Sequence, residues 1–342
     1  MTAIRRYIEP PKWWSQDHMV ETVPTFIRAV EQLCLDAGLV KSSNADNMDT
    51  SNITLPTFPM TGAAGSWANT CSKTLSFDLS DSMQTSLPIR IEFTFGYYCH
   101  NTNTKTSDNY YPYFNYTNVR VGIIDESINK LVNAQSFVSA SKTSYTSLNN
   151  SAFHKTIDDY RPFTEFGGMD SFINVSDGFV AMSILPEFSE SSSASARYST
   201  EVFFMLERSF DDLNIPTADN INLICVNSAT SFNSTTSRLY TYIIARDTPI
   251  FSTLDTMNYY TTPHDYNKGN LILFPFMHFN VNYSIQQSPN FCGINTNVLS
   301  VGVETMVSIN DMPPVNFIKT SVRDNTNSPT ASTNCGLLFR FE

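Results

Sequence analysis

The chain has 342 residues, of which 41% are hydrophobic, 13% aromatic and only 15% charged, and its net charge is −11. Its length and apolar content allow a large core, and its aromatic content excludes a disordered chain. The acidic balance excludes nucleic acid as a partner of the whole body, and the scarcity of charge leaves Asn, Ser and Thr to cover a surface suited to burial in an assembly or to facing the outside.

The N-terminal stretch is chemically distinct. Arg5, Arg6 and Lys12 stand against Glu9, and Pro10 and Pro11 favour an extended segment. Trp13 and Trp14 follow, two large rings able to anchor on a neighbour. From Met19 the apolar residues Met19, Val20, Val23, Phe26, Ile27, Val30, Leu33, Cys34 and Ala37 fall at spacings of three and four, one face of a helix. Gly38 is placed to end it. Pro24 is tolerated in a first turn and disruptive in an interior, so the helix is expected to begin near it. Residues 1–40 thus read as a docking arm and helix, with Arg5, Arg6, Trp13, Trp14, Phe26 and Ile27 as the candidate contacts.

Residues 41–70 are rich in Asn, Asp, Ser, Thr and Gly and read as a linker or long loop. Beyond them the apolar period becomes two. The cleanest strand is Leu87 to Tyr97, where Ile89, Ile91, Phe93 and Phe95 alternate with Arg90, Glu92 and Thr94. Further strands are expected at Thr74–Leu79, Val119–Ile124, Tyr198–Glu207, Ile221–Val226, Leu239–Ala245, Leu271–Tyr283, Val298–Val307 and Leu337–Phe341. Phe172 to Leu185, with Gly178 inside, reads as a strand pair or one bent strand. About ten short strands separated by polar loops make the fold mainly β, a sandwich or jelly-roll-like body over residues 71–342, as one large or two smaller domains, with one N-terminal α-helix.

The usual catalytic patterns are absent: no phosphate-binding glycine loop, no H-E-x-x-H, no G-x-S-x-G. No cofactor or metal is expected, because Cys99 and His100 have no second pair at matching spacing. Six scattered cysteines without a secretory signal read as buried free thiols, and six N-x-S/T sequons as a by-product of composition. The acidic pairs Asp158 and Asp159, Glu187 and Glu190, and Asp211 and Asp212 sit beside turn signals and read as loop carboxylates, although a glycan-degrading enzyme would need such a pair across a cleft. Tyr110, Tyr111, Tyr113 and Tyr116 form an aromatic cluster that suits packing, a subunit contact or stacking on a host-surface glycan. No apolar run is long enough to insert in a membrane.

The opening stretch RRYIEPPKWWSQDHMVETVPTFIRAVEQLCLDAGLV resembles the N-terminal region of virion structural proteins from tailed bacteriophages. FVAMSILPEFSESSSASARYSTEVFFMLERSFD, TYIIARDTPIF and DMPPVNFIKTSV are similar in style. The resemblance implies a non-enzymatic building block of the tail, neck or capsid surface. Such a protein is made and assembled in the bacterial cytoplasm, and its partners are further copies of itself and other virion proteins. A receptor- or glycan-binding module of a tail fibre or capsid decoration is the alternative.

Overall fold

Strand alternation at this scale gives a stack of antiparallel sheets. A computed structural model describes residues 2–8, 16–53, 67–101, 110–139, 166–188, 202–211, 213, 215–231, 234–246, 273–279, 285–294, 302–308, 313–323 and 334–342. Among them are sixteen strands, numbered in chain order, and one α-helix, α1 (Gln16–Asp36). A front sheet runs from β2 (Val40–Lys41) through β3 (Trp67–Asp78), β4 (Ile89–Asn101) and β5 (Tyr110–Asp125) to β6 (Lys130–Ser139). The central sheet is ordered β1 (Thr2–Ile8), β7 (Phe166–Ser176), β8 (Phe179–Phe188), β9 (Val202–Phe210), β10 (Pro216–Ser231) and β11 (Ser234–Ala245). The back sheet is ordered β12 (Leu273–Phe279), β13 (Ile285–Ile294), β16 (Asn334–Arg340), β15 (Val315–Arg323) and β14 (Glu304–Val307). None closes into a barrel, and the mainly β, sandwich-like fold class holds.

The central sheet is covered on both faces. Val180, Met182, Phe204, Leu206 and Ile221 point forward into one core with Leu75, Phe77, Ile91, Phe93 and Val121 of the front sheet. Phe172, Phe179, Ala181, Phe203 and Met205 point backward onto Phe291, Ile318, Leu337 and Phe339 of the back sheet. Burial on both sides explains why β9 reads as a run, VFFMLERSF, and not as an alternation; every residue in it is buried. The front sheet is covered on its inner face only, and its strands alternate cleanly.

The two interfaces differ in chemistry. The forward interface joins a large apolar cluster to a buried ion pair, Arg208–Asp81. The backward one carries polar pins: the Ser183 and Thr320 hydroxyls meet at 2.7 Å, Asn174 Nδ2 donates to the Arg340 carbonyl at 2.8 Å, and Asn290 donates to the fully buried Glu207. Each pin pairs a donor with an acceptor across the layers and so favours one registry, although Asn174 Oδ1 and Glu207 Oε2 are buried without a hydrogen bond of their own.

Four expectations change. The chain carries more strands than about ten, because β1, β2, β6, β13 and β15 lack a clean apolar alternation: β1 holds Arg5 and Arg6, and β13 holds Pro289 and Gly293. The helix starts at Gln16, not near Pro24; Pro24 lies inside it and is buried, so tertiary packing overrides the local cost of proline. Its end is as expected. Gly38 has φ +100°, Leu39 N bonds the Cys34 carbonyl and Gly38 N the Leu35 carbonyl, a Schellman closure. The described parts of residues 1–40 are built into the body, because β1 pairs along its whole length with β7 and Ile27, Val30, Leu33, Cys34 and Ala37 belong to the forward core. The first part of the expected linker, residues 42–53, lies along the edge of β3. Ser42 N and Met48 N bond the Ser76 and Thr74 carbonyls, and the Asn47 carboxamide bonds both the N–H and the carbonyl of Ser76. This segment covers an edge that would otherwise be open to pairing.

Candidate functional site

Arg5 and Arg6 were expected to reach a neighbour, and here they serve the chain's own layers. Because β1 alternates, Arg5 faces backward and Arg6 faces α1. The Arg5 guanidinium forms a two-pronged pair with Asp170 at 2.7 and 3.1 Å, donates to the Gly302 carbonyl at 3.1 Å and lies over the Phe172 ring. It joins the central sheet to the chain leading into β14. Arg6 pairs with Asp36 at 2.5 Å near the end of α1. The Arg6 hydrogen bond, with a second from Gln32, holds the Asp36 carboxyl below the usual carboxylate range. Ile27 is fully buried in the chain's own core and is closed to a neighbour. Trp13 and Trp14 lie outside the described residues, as does the side chain of Phe26. Tyr110, Tyr111, Tyr113 and Tyr116, read as an aromatic cluster ahead of a strand at Val119–Ile124, begin that same strand, β5; their side chains also lie outside the described residues.

What these contacts do bring together is one side of the molecule. β2, β1 and β14 are each the end strand of their sheet. The Arg6–Asp36 pair ties β1 to the helix that leads into β2, and the Arg5–Gly302 bond ties β1 to the segment that leads into β14. Among the described residues, five of the eight exposed large apolar side chains sit on these elements: Tyr7, Leu35, Val40, Val303 and Met306, the last 63% exposed. Scattered exposed apolar residues need no explanation; these are gathered along the end strands of three sheets.

A second feature lies on the outer face of the front sheet. Residues that alternate away from the core form polar rows across it: Ser76 pairs with Glu92, and Glu92 with Arg120. The 44–53 segment rises as a wall beside these rows and encloses a groove of about 680 Å³. Asp46, Asn52, Glu92, Arg120 and Lys130 present polar groups to it, and Met48, Ile53 and Leu131 an apolar edge. Arg120 approaches Glu92 no closer than 3.7 Å. Burial pushes the Glu92 carboxyl above its usual value, an effect that Arg120 opposes. These residues carried no local motif in the sequence. Glu92 and Arg120 read as the polar half of two alternating strands, and only strand pairing makes them neighbours.

Of the other sequence candidates, Asp158, Asp159, Glu190 and Asp212 and the side chains of Glu187, Cys99 and His100 lie outside the described residues. Asp211 accepts from the backbone N–H groups of Leu213 and Ile215, as a turn carboxylate does. Cys34, Cys225 and Cys292 are free and buried, and burial pushes the Cys292 thiol up to about 12, so it stays protonated and inert. Among the described residues, no group of His, Cys, Asp and Glu is arranged to hold a metal ion, and no helix is long and apolar enough to cross a membrane. No family model matches the chain, and no curated protein or solved structure matches it.

Proposed function

We propose that the protein is a non-enzymatic structural component of a tailed-phage virion, assembling in multiple copies through the side that carries β1, β2 and β14. The observation that supports it is the convergence of three sheet edges and five exposed apolar side chains there. Both charge signs are present on that side, in the Arg5–Asp170 and Arg6–Asp36 pairs with Glu304 nearby. A surface with both signs can complement a second copy of itself about a two-fold axis. The virion setting rests on the resemblance of the Arg5–Val40 stretch.

Removing the N-terminal segment is a poor test, because it deletes a strand of the central sheet and the buried Ile8. Surface charge is cleaner. Val40→Glu combined with Met306→Glu places carboxylates on two exposed edge positions, 53% and 63% accessible, and should leave the fold intact. Sedimentation analysis is expected to show a concentration-dependent oligomer for the native chain and a smaller species for the variant. A native chain that stays monomeric, or a variant that associates equally well, removes the support for this reading.

A further inference from the structure

We infer that the groove on the outer face of the front sheet binds a carboxylate-bearing sugar, with Arg120 and Lys130 on its acid group and Asp46, Asn52 and Glu92 on its hydroxyls. The starting point is how this chain treats its arginines. Eight have described side chains. Arg5, Arg6, Arg28, Arg90, Arg208, Arg246 and Arg340 each donate at least one hydrogen bond within the chain. Arg120 is the exception, with a single ionic neighbour at 3.7 Å and 43% of its side chain exposed. A planar fork of donors, held on a rigid strand and aimed at a groove, is the arrangement that receives a carboxylate in two-pronged fashion.

The rest of the groove sets the class. Lys130 adds a second positive group on the rim. Glu92, Asp46 and Asp49 line the same space, and Asp46 is close enough to raise the Glu92 carboxyl. A phosphate dianion would be repelled by all three. A singly charged acid whose remaining groups are hydroxyl donors would instead find acceptors in them. Asn52 offers a donor and an acceptor, and Met48, Ile53 and Leu131 form an apolar edge against which the C–H face of a sugar ring can rest. The volume of about 680 Å³ falls within the range of small-ligand sites. Thr74 and Ser76 of β3 hold the floor, and the Asn47 bonds to Ser76 hold the wall to that strand, so the site is largely formed before the ligand arrives.

The test is calorimetric titration of the full chain with an oligogalacturonate, the matched neutral galactose oligomer, and inorganic phosphate. Saturable binding of the oligogalacturonate is expected, with the neutral oligomer and phosphate each weaker by at least about tenfold, the worth of one charge-assisted contact. Arg120→Gln is expected to abolish that preference for acid. Arg120→Lys should keep part of it, because a point charge replaces the fork. Arg120→Lys should melt near the native temperature because it keeps a positive charge beside Glu92, and Arg120→Gln slightly lower because it removes that charge, with both variants folded. No binding of the oligogalacturonate overturns the proposal. So do equal affinity for the neutral oligomer, preference for phosphate, and unchanged binding by Arg120→Gln. The outcome is independent of the assembly reading, whose variants lie at Val40 and Met306.

Discussion

At the scale of single residues, the groove and the buried ion pairs show how position decides what a charge does. Arg90 and Arg120 both project from the outer face of the front sheet. Arg90 is 1% exposed, forms a two-pronged pair with its cross-strand neighbour Asp78 and donates to Asn129 in the β5–β6 turn. Arg120, one strand over, has no such cover. Glu92 lies between them and bears a desolvation penalty that its arginine neighbours only reduce. Its raised carboxyl means that the folded state holds a proton more tightly than the unfolded chain. The site therefore favours folding most below the unfolded value, near pH 4, and less as pH rises through the folded one. Glu92→Gln is accordingly expected to stabilise the protein at neutral pH and to leave it unchanged in acid. Urea unfolding at both pH values checks this, and a lower midpoint for the variant at neutral pH would contradict it. Asp36 behaves oppositely: its lowered carboxyl contributes above the unfolded value and that contribution is lost as pH falls through the folded one.

At the scale of elements, the β3–β4 connection is the clasp between front and central sheets. Arg208 of β9, fully buried, grips Asp81 at 2.6 and 2.8 Å and donates to the Leu87 carbonyl. Asp177, in the β7–β8 turn, accepts from the backbone and hydroxyl of Ser82. Gln84 bonds both the N–H and the carbonyl of Ile89, and Arg246, just after β11, reaches Ser86. The β7–β8 turn can take part because Gly178, at φ +72°, supplies the left-handed position, where a Cβ would come within 2.7 Å of the Pro216 ring. Arg208→Ala strands a carboxylate that is only 3% exposed, and should cost about 3–5 kcal/mol, measured by equilibrium denaturation. A loss below about 1 kcal/mol, the size of a surface pair, would show that the clasp is not holding the layers.

At the scale of the whole molecule, the central sheet belongs to both cores. Phe203 faces backward and Phe204 forward, so neither core can open without disturbing the same strand. One cooperative unit follows. Scanning calorimetry should give a single transition whose van't Hoff and calorimetric enthalpies agree. Two resolved transitions would mean that the back sheet with β12–β16 unfolds on its own. The same layering places three end strands on one side, which gives the assembly proposal its surface.

Much was legible in the chain because alternation is a local property. The front-sheet strand around Ile91 and the helix end at Gly38 follow from residue spacing and from one backbone conformation that glycine alone adopts readily, while Phe172 to Leu185 was legible as a strand pair or one bent strand and the structure makes it a hairpin at Gly178. A β-rich body and a helix with an apolar face that must be buried are written into the spacing of the residues. Tertiary structure decided which surfaces remained. It engaged Arg5 and Arg6 in surface ion pairs with the chain's own Asp170 and Asp36, carried the helix back through Pro24, and made a continuous apolar run such as β9 the middle of three layers. It also brought Asp46, Glu92 and Arg120 to one groove. The reason is physical: pattern reports which face of an element avoids water, while partners far along the chain decide what that face meets.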